Sequence, residues 1–286
     1  MMSHFTMAGS QPETTAATQA VHAGLVVQDI RVSYGAVPAV RGVTLECRPG
    51  QIIGVVGPNG AGKTSLLTGI AGIAPMLGGS VSGSVSLDGR DLTRWAGHRR
   101  GQAGIVYMAE RRRVFPSLSV RENLEVGGWG LDKTEVKTRV ENIYRIFPRL
   151  AERAGVPSYR LSGGEQRMLS IGRMLLSGAQ CLLLDELSLG LAPRIVSELI
   201  GTIRSVAAEG RTVIIVEQYL GVLLQMADLI HVLQRGRFEF SGAGQEAQDW
   251  LEHHGFSVHA ATAAARAQAT NMSSWNAHVQ ETGGLK

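Results

Sequence analysis

The chain has 286 residues, 44% hydrophobic and 18% charged, which suffices for an ordinary buried core in one large domain or two small ones. A formal net charge of +4 is too slight to single out nucleic acid, lipid or nucleotide as the partner. Only two cysteines, Cys47 and Cys181, are present, both in apolar runs, so a disulfide framework and a cysteine-built zinc site are excluded and a reducing compartment is expected. No apolar run reaches the roughly 18 residues that span a bilayer. Residues 1–24 lack a basic start followed by an apolar stretch and read as a loose leader, so the expected location is cytoplasmic.

In chain order, Leu25–Val32 and Val43–Cys47 read as short strands, broken at Tyr34-Gly35 and Pro49-Gly50. Gln51–Val56 is a dense apolar strand that runs into a glycine-rich turn and then a helix, Lys63–Ile70. Val81–Leu87 alternates and closes on Asp88-Gly89, a hairpin signal. These runs suggest a small antiparallel sheet beside a nucleotide-binding core. Ile105–Met108 is a further strand, and Glu110 to about Arg160 reads as a helical insert. From Glu165 the order is helix, strand (Cys181–Leu184), helix, strand (Val213–Val216), helix, strand (Leu229–Leu233), which predicts a parallel sheet covered on both faces. The tail after Gly255 reads as a mobile extension, and there are no internal repeats.

The run Gly57-Pro58-Asn59-Gly60-Ala61-Gly62-Lys63-Thr64, with Ser65 behind it, fits the P-loop pattern G-x-x-x-x-G-K-[ST]. Glycines let successive N–H groups curl around phosphates, and the helix that opens here adds its positive end. Lys63 can reach the outer phosphates and the Thr64 hydroxyl can ligate Mg²⁺. A chance glycine loop does not require a buried strand before it and a helix after it. The motif alone does not separate kinases, GTPases, helicases and transport ATPases.

Leu161-Ser162-Gly163-Gly164-Glu165-Gln166 narrows the class, because it resembles the signature of ABC ATPases. Ser162 followed by two glycines at a helix start offers a hydroxyl, N–H groups and a dipole, a second anion site. A plain capped helix accounts for Ser162 but not for the whole string. The resemblance implies an α/β fold with a P-loop NTPase (RecA-like) core, an antiparallel β subdomain and a helical ABC-specific insert, over residues 25–255. It also implies that Ser162, Gly163, Gly164 and Gln166 close on ATP held by a second subunit. Cys181-Leu182-Leu183-Leu184-Asp185-Glu186 looks like Walker B, with Asp185 near Mg²⁺ and Glu186 as general base, although two acids at a strand end also suit a solvated turn. Tyr34 stands where the family keeps an adenine-stacking aromatic, but a surface Tyr at a strand end is the bland alternative. Ser188-Leu189-Gly190-Leu191 resembles the dimer-contacting D-loop.

Two positions depart from the general pattern: Glu110 stands where Gln is usual, and Gln218 where His is usual. One reading is a weakened, regulatory ATPase, since Gln218 can donate to a γ-phosphate oxygen but carries no charge. The other is subfamily identity, because both changes occur in the LivF-type ATPase subunit of branched-chain amino acid importers. Glu110–Phe115, Leu161–Leu169, Ser188–Pro193 and Val216-Glu217-Gln218 resemble that subunit, whereas Ala109, Arg111 and Leu187 replace its usual Pro, Gly and Pro. The resemblance implies ATP and Mg²⁺, a second ATPase subunit, two membrane permeases, an extracytoplasmic solute-binding protein and a peripheral place on the inner membrane, with no nucleic acid. Arg111-Arg112-Arg113 is either a solvated face or part of the permease contact. His231 reads as a strand residue, His253-His254 as an exposed pair, and Met168 and Met174 as packing. A GTPase is disfavoured by the absence of an N-K-x-D motif, and a translation or repair ATPase by the single cassette without sustained heptads.

Overall fold

The structure is a computed structural model that describes residues 24–109 and 114–254. Glu110, the three arginines after it, the leader through residue 23 and the tail from residue 255 lie outside the described residues, so the expectations placed on them are not addressed by the fold.

The chain opens with β1 (Leu25–Tyr34), β2 (Val37–Cys47) and β3 (Ile52–Val56), then α1 (Lys63–Ile70), β4 (Gly79–Leu87), β5 (Arg90–Asp91), α2 (Gly97–Gln102) and β6 (Ile105–Met108). The helices α3 (Val120–Gly127), α4 (Lys133–Ile146), α5 (Pro148–Glu152) and α6 (Gly163–Leu176) follow. Last come β7 (Cys181–Asp185), α7 (Pro193–Ala208), β8 (Thr212–Glu217), α8 (Leu220–Leu223), β9 (Leu229–Gln234), β10 (Arg237–Gly242) and α9 (Gly244–His253).

These elements form a four-stranded antiparallel sheet, β2-β1-β4-β5, and a six-stranded sheet, β10-β9-β3-β8-β7-β6. All neighbours in the larger sheet run parallel except β10, which returns antiparallel to β9. Side chains alternate across a strand, and here each face has its own core. Leu182, Leu184, Val213 and Ile215 join the helices α3 to α7 on one face. Cys181, Leu183, Ile214 and Val216 join α1 and the antiparallel sheet on the other. The alternation carries Asp185 toward the α1 face and Glu217 toward the helical face.

Several elements differ from the sequence expectation. The first two strands run unbroken through Tyr34 and from Val37, because Pro38 sits at the start of an edge strand and Gly42, at φ 85°, absorbs an irregularity in register. Asp88-Gly89 does make a two-residue hairpin, both residues at positive φ, between paired Leu87 and Arg90. The elements α2, β10 and α9 have no counterpart in the sequence reading, and the helix expected after β8 is the single turn α8.

A buried arginine fixes α1 in place. Arg100 donates to the carbonyls of Gly69 (3.1 Å) and Ile70 (2.6 Å) at the end of α1, and to those of Thr93 and Trp95 beside the antiparallel sheet. Carbonyls at a helix end have no partner within the helix, so a cation there both caps it and complements its dipole.

Candidate nucleotide site

The P-loop bridges the end of β3 and the start of α1, at the carboxyl end of the parallel sheet, where open α/β sheets take their ligands. Two of its glycines, Gly57 and Gly62, are required by contact, and Gly60 and Gly62 by a positive φ. A Cβ on Gly57 would lie 2.2 Å from the Leu233 carbonyl oxygen, and one on Gly62 would lie 2.3 Å from that of Ala39. Gly62 is also at φ 106° and serves as the N-cap of α1, which has no side-chain cap and no acid in its first turn. The first turn of α1 therefore brings no acid of its own to offset the positive helix end. Pro58, Asn59, Gly60 and Thr64 are exposed, Ala61 is buried, and Ser65 is half-buried.

Lys63 is almost fully buried. Its Nζ donates to the carbonyls of Gly57 (2.8 Å) and Pro58 (3.3 Å) and stands 3.8 Å from Glu186 Oε1. Burial lowers the Lys63 pKa, while Glu186, Asp185 and Glu217 act in the opposite direction. Asp185, at the end of β7, is fully buried, and its Oδ2 accepts a bond from the Tyr107 hydroxyl (2.9 Å) on the neighbouring β6.

Glu186 leaves the strand at φ 46°, a left-handed conformation that costs a non-glycine residue about 1–3 kcal/mol. This turn brings its carboxylate to Lys63. Of the residues expected at this site, Lys63 and Glu186 stand 3.8 Å apart, and Tyr107, which bonds Asp185, is a neighbour that sequence reading did not name.

The signature lies elsewhere, at the head of α6. Ser162 caps that helix in a capping box: its Oγ accepts from the Glu165 N–H (3.3 Å), and Glu165 Oε2 accepts from the Ser162 N–H (2.9 Å). Ser162 and Gly163 are exposed; a Cβ on Gly163 would meet nothing within 4 Å, whereas one on Gly164 would press on Ile195 at 3.0 Å. Gln166, expected to face a ligand, donates its Nε2 to the carbonyls of Ser158 and Leu161, both at 3.3 Å, in this chain.

Tyr34 ends β1, half-buried, with its ring against Gly79. Gln218 is half-buried just beyond the end of β8. Two further residues escaped sequence reading. Arg167 on α6 donates to the carbonyls of Glu186 and Leu189 (2.8 Å to the latter). Glu217 accepts from the Ser188 N–H (2.8 Å) and hydroxyl (3.0 Å). The available signal for Arg167 was a charge among the apolar residues Met168, Leu169 and Ile171. Of the histidines, His231 is buried in β9, stacked on Phe238 and bonded to the Ser241 hydroxyl, and burial lowers its pKa to about 4. His253 and His254 are exposed at the end of α9.

Comparison with known proteins agrees with this geometry. The family profile described as ABC transporter matches residues 40–188. The chain is 39% identical over 211 residues to the high-affinity branched-chain amino acid transport ATP-binding protein BraG of Pseudomonas aeruginosa, covering 74% of this chain and 89% of the relative. It is 34% identical over 215 residues to a probable branched-chain amino acid transport ATP-binding protein LivF of Archaeoglobus fulgidus, covering 75% and 88%. Among solved structures, an ATP-binding cassette of an ABC transporter in its ADP conformation superposes with a TM-score of 0.67 at 25% identity, over 78% of this chain and 91% of that one. A P-loop and a signature helix in a cassette spanning nearly the whole of such relatives leave one assignment: the chain belongs to the ABC transporter family, as an ATP-binding subunit that hydrolyses ATP.

Proposed function

We propose that this subunit powers the import of branched-chain or related amino acids, paired with a second ATPase subunit beneath two membrane permeases that an extracytoplasmic solute-binding protein supplies. The cargo rests on what the relatives are named for. Peripheral attachment at the cytoplasmic face accords with there being no helix among the described residues long and apolar enough to cross a membrane. Exposed apolar side chains, including Trp129 at 93% exposure, Met76, Leu77 and Tyr159, suit contact with permease loops.

The observation that carries the catalytic reading is the approach of Glu186 to Lys63 at the mouth of the P-loop. The N–H groups of Asn59–Thr64 and the end of α1 cradle the phosphates, and Lys63 exchanges its carbonyl partners for the outer phosphate oxygens. Tyr34 stacks on the adenine. Glu186 orients the attacking water and accepts its proton, while Gln218 donates to the γ-phosphate. Ser162 and Gly163, open to solvent, meet ATP held by the partner ATPase, with Gly164 keeping α6 close to α7.

The site fits Mg²⁺, because the described protein groups on hand are oxygen donors, the Thr64 hydroxyl and the Asp185 carboxylate; Glu110, also expected near the metal, lies outside the described residues. No group of three or more His, Cys, Asp or Glu residues is placed to hold a metal by itself among the described residues. That pattern matches an ion held mostly by water and substrate phosphates. Mg²⁺ would supply charge neutralisation on the phosphates when bound with ATP.

The test is Mg²⁺-dependent turnover of the purified chain, alone and with its partner ATPase. Glu186→Gln is expected to retain ATP binding and to lose about 10²–10⁴-fold in kcat. Hydrolysis by that variant at the parental rate would remove Glu186 from the mechanism. Absence of turnover in the parental pair, with ATP bound, would instead make this a regulatory subunit.

A further inference from the structure

We propose that Arg167 is a positioning residue for ATP hydrolysis: from the signature helix it holds the backbone of Glu186 in the left-handed turn that points the carboxylate at Lys63. The inference rests on the reading of Glu186 as the general base.

Arg167 is 1% exposed, on a helix that goes on to bury the apolar Met168, Leu169 and Ile171. A guanidinium so placed must recover its lost hydration from hydrogen bonds of defined geometry. Its two Nη atoms go to the carbonyls of Glu186 and Leu189, the two ends of one short loop. The loop is held along its length. The Glu186 N–H donates to the Val216 carbonyl at 2.9 Å, Leu187 is fully buried, and Ser188 is bound twice by Glu217. Glu217 is itself buried and feels the charge of Arg167.

This fastening falls where the backbone is least comfortable. Glu186 at φ 46° is in a region that non-glycine residues rarely adopt, and relaxation toward an extended backbone would swing its side chain away from the P-loop. Arg167 grips the carbonyl of that same residue. It also stands in the second turn of the helix that Ser162 caps, so a displacement of the helix head reaches the Glu186 loop through one rigid element. An anion seated on the signature of this chain would thereby adjust the base beside this chain's own P-loop. The two nucleotide sites of an assembled ATPase pair would then be connected inside each subunit as well as across the interface.

The experiment uses the full chain with its partner ATPase and compares Arg167→Met, Arg167→Lys, Glu186→Gln and the double variant Arg167→Lys/Glu186→Gln. Steady-state kcat and KM are measured, together with the Kd for a fluorescent ATP analogue. Arg167→Met is expected to leave Kd and KM within about twofold and to lower kcat about 10–100-fold, as displacement of a reacting group does. Lysine, a single ammonium that cannot fork to two carbonyls, is expected to recover only part of that loss. In the double variant the lysine is expected to cost nothing further, because residues acting as one unit do not add.

The proposal is overturned if Arg167→Met keeps kcat within about threefold of the parent while Glu186→Gln abolishes turnover. It is equally overturned if Kd and KM rise along with the loss of kcat, or if the losses add in the double variant. Should Arg167→Met fail to fold, Arg167→Lys decides, and parental kcat in it counts against the proposal. Parental turnover in Glu186→Gln would be a distinct result, removing the base and this inference with it.

Discussion

Glu217 carries a proton balance that a single substitution exposes. Burial pushes its carboxyl from the ordinary 4.5 up to about 7, against the lowering effect of the Ser188 N–H, the Ser188 hydroxyl and Arg167, while Glu186 adds to the rise. Between those two pH values the folded chain holds a proton that the unfolded chain has released. The associated stability is therefore complete below about pH 4.5 and is lost as pH rises through about 7. Glu217→Gln removes the titrating group. Relative to the parent, the variant is expected to gain stability from pH 4.5 toward pH 8, by an amount on the order of 3 kcal/mol across the window. Urea unfolding of both proteins at several pH values measures it, and a difference that does not change with pH would show that Glu217 does not titrate in this range. At this scale the sequence was informative where chemistry is local. Lys63 and Glu186 belong to contiguous motifs, but the partners of Arg167 and Glu217 lie 22 and 29 residues away along the chain, at Leu189 and Ser188. No spacing in the sequence announces those bonds.

At the scale of elements, the P-loop shows why a glycine can be demanded by its neighbours as much as by its own φ. Gly62→Ala would place a methyl 2.3 Å from the Ala39 carbonyl oxygen in β2, at a φ of 106° that alanine rarely adopts. The clash is of a methyl with a backbone carbonyl, so relief requires β2 or the loop to move. The variant is expected to lose about 1–3 kcal/mol of stability and most of its nucleotide affinity. Thermal unfolding and equilibrium binding of a fluorescent nucleotide measure both, and parental values in the two assays would contradict the contact. The strands β3, β6, β7, β8 and β9 were legible because they are short apolar runs with turn residues at their ends. Buried on both faces, they need no polar alternation. By contrast, β10 reads Arg-Phe-Glu-Phe-Ser-Gly, exposed or half-exposed along most of its length, and it exists as a strand because β9 offers an edge to pair with. Helix α2 carries two arginines and two glycines in six residues and is fixed by Arg100, whose partners lie in other elements. Its stability is tertiary, which local propensity does not report.

At the scale of the whole molecule, the two faces of the larger sheet divide the labour. The α1 face with the antiparallel sheet holds Lys63 and Asp185, and the helical face holds α6 with the signature at its head, so the P-loop and the signature lie on separate elements of one chain. Gly163 distinguishes what this chain needs to fold from what an assembled pair needs to work. It is exposed in the first turn of α6, its φ is not positive, and a side chain there would meet nothing within 4 Å. Glycine early in a helix is unfavourable unless something else requires the space. The fold of this chain does not require it, whereas the proposed pairing, in which the signature meets a triphosphate held by a second subunit, would. Gly163→Asp is therefore expected to fold with undiminished thermal stability, since an acid suits the first turn of a helix by roughly 0.3–1 kcal/mol. Nucleotide binding by the isolated chain, which uses the P-loop, should be unchanged. Turnover of the assembled pair should fall at least about tenfold, because a carboxylate repels the phosphates and fills the space they occupy. Thermal unfolding, nucleotide titration of the single chain and steady-state hydrolysis by the pair make a three-way comparison. Loss of stability in the first assay would mean that the glycine serves the fold of α6. Parental turnover in the third would mean that the signature does not close on nucleotide in the working pair.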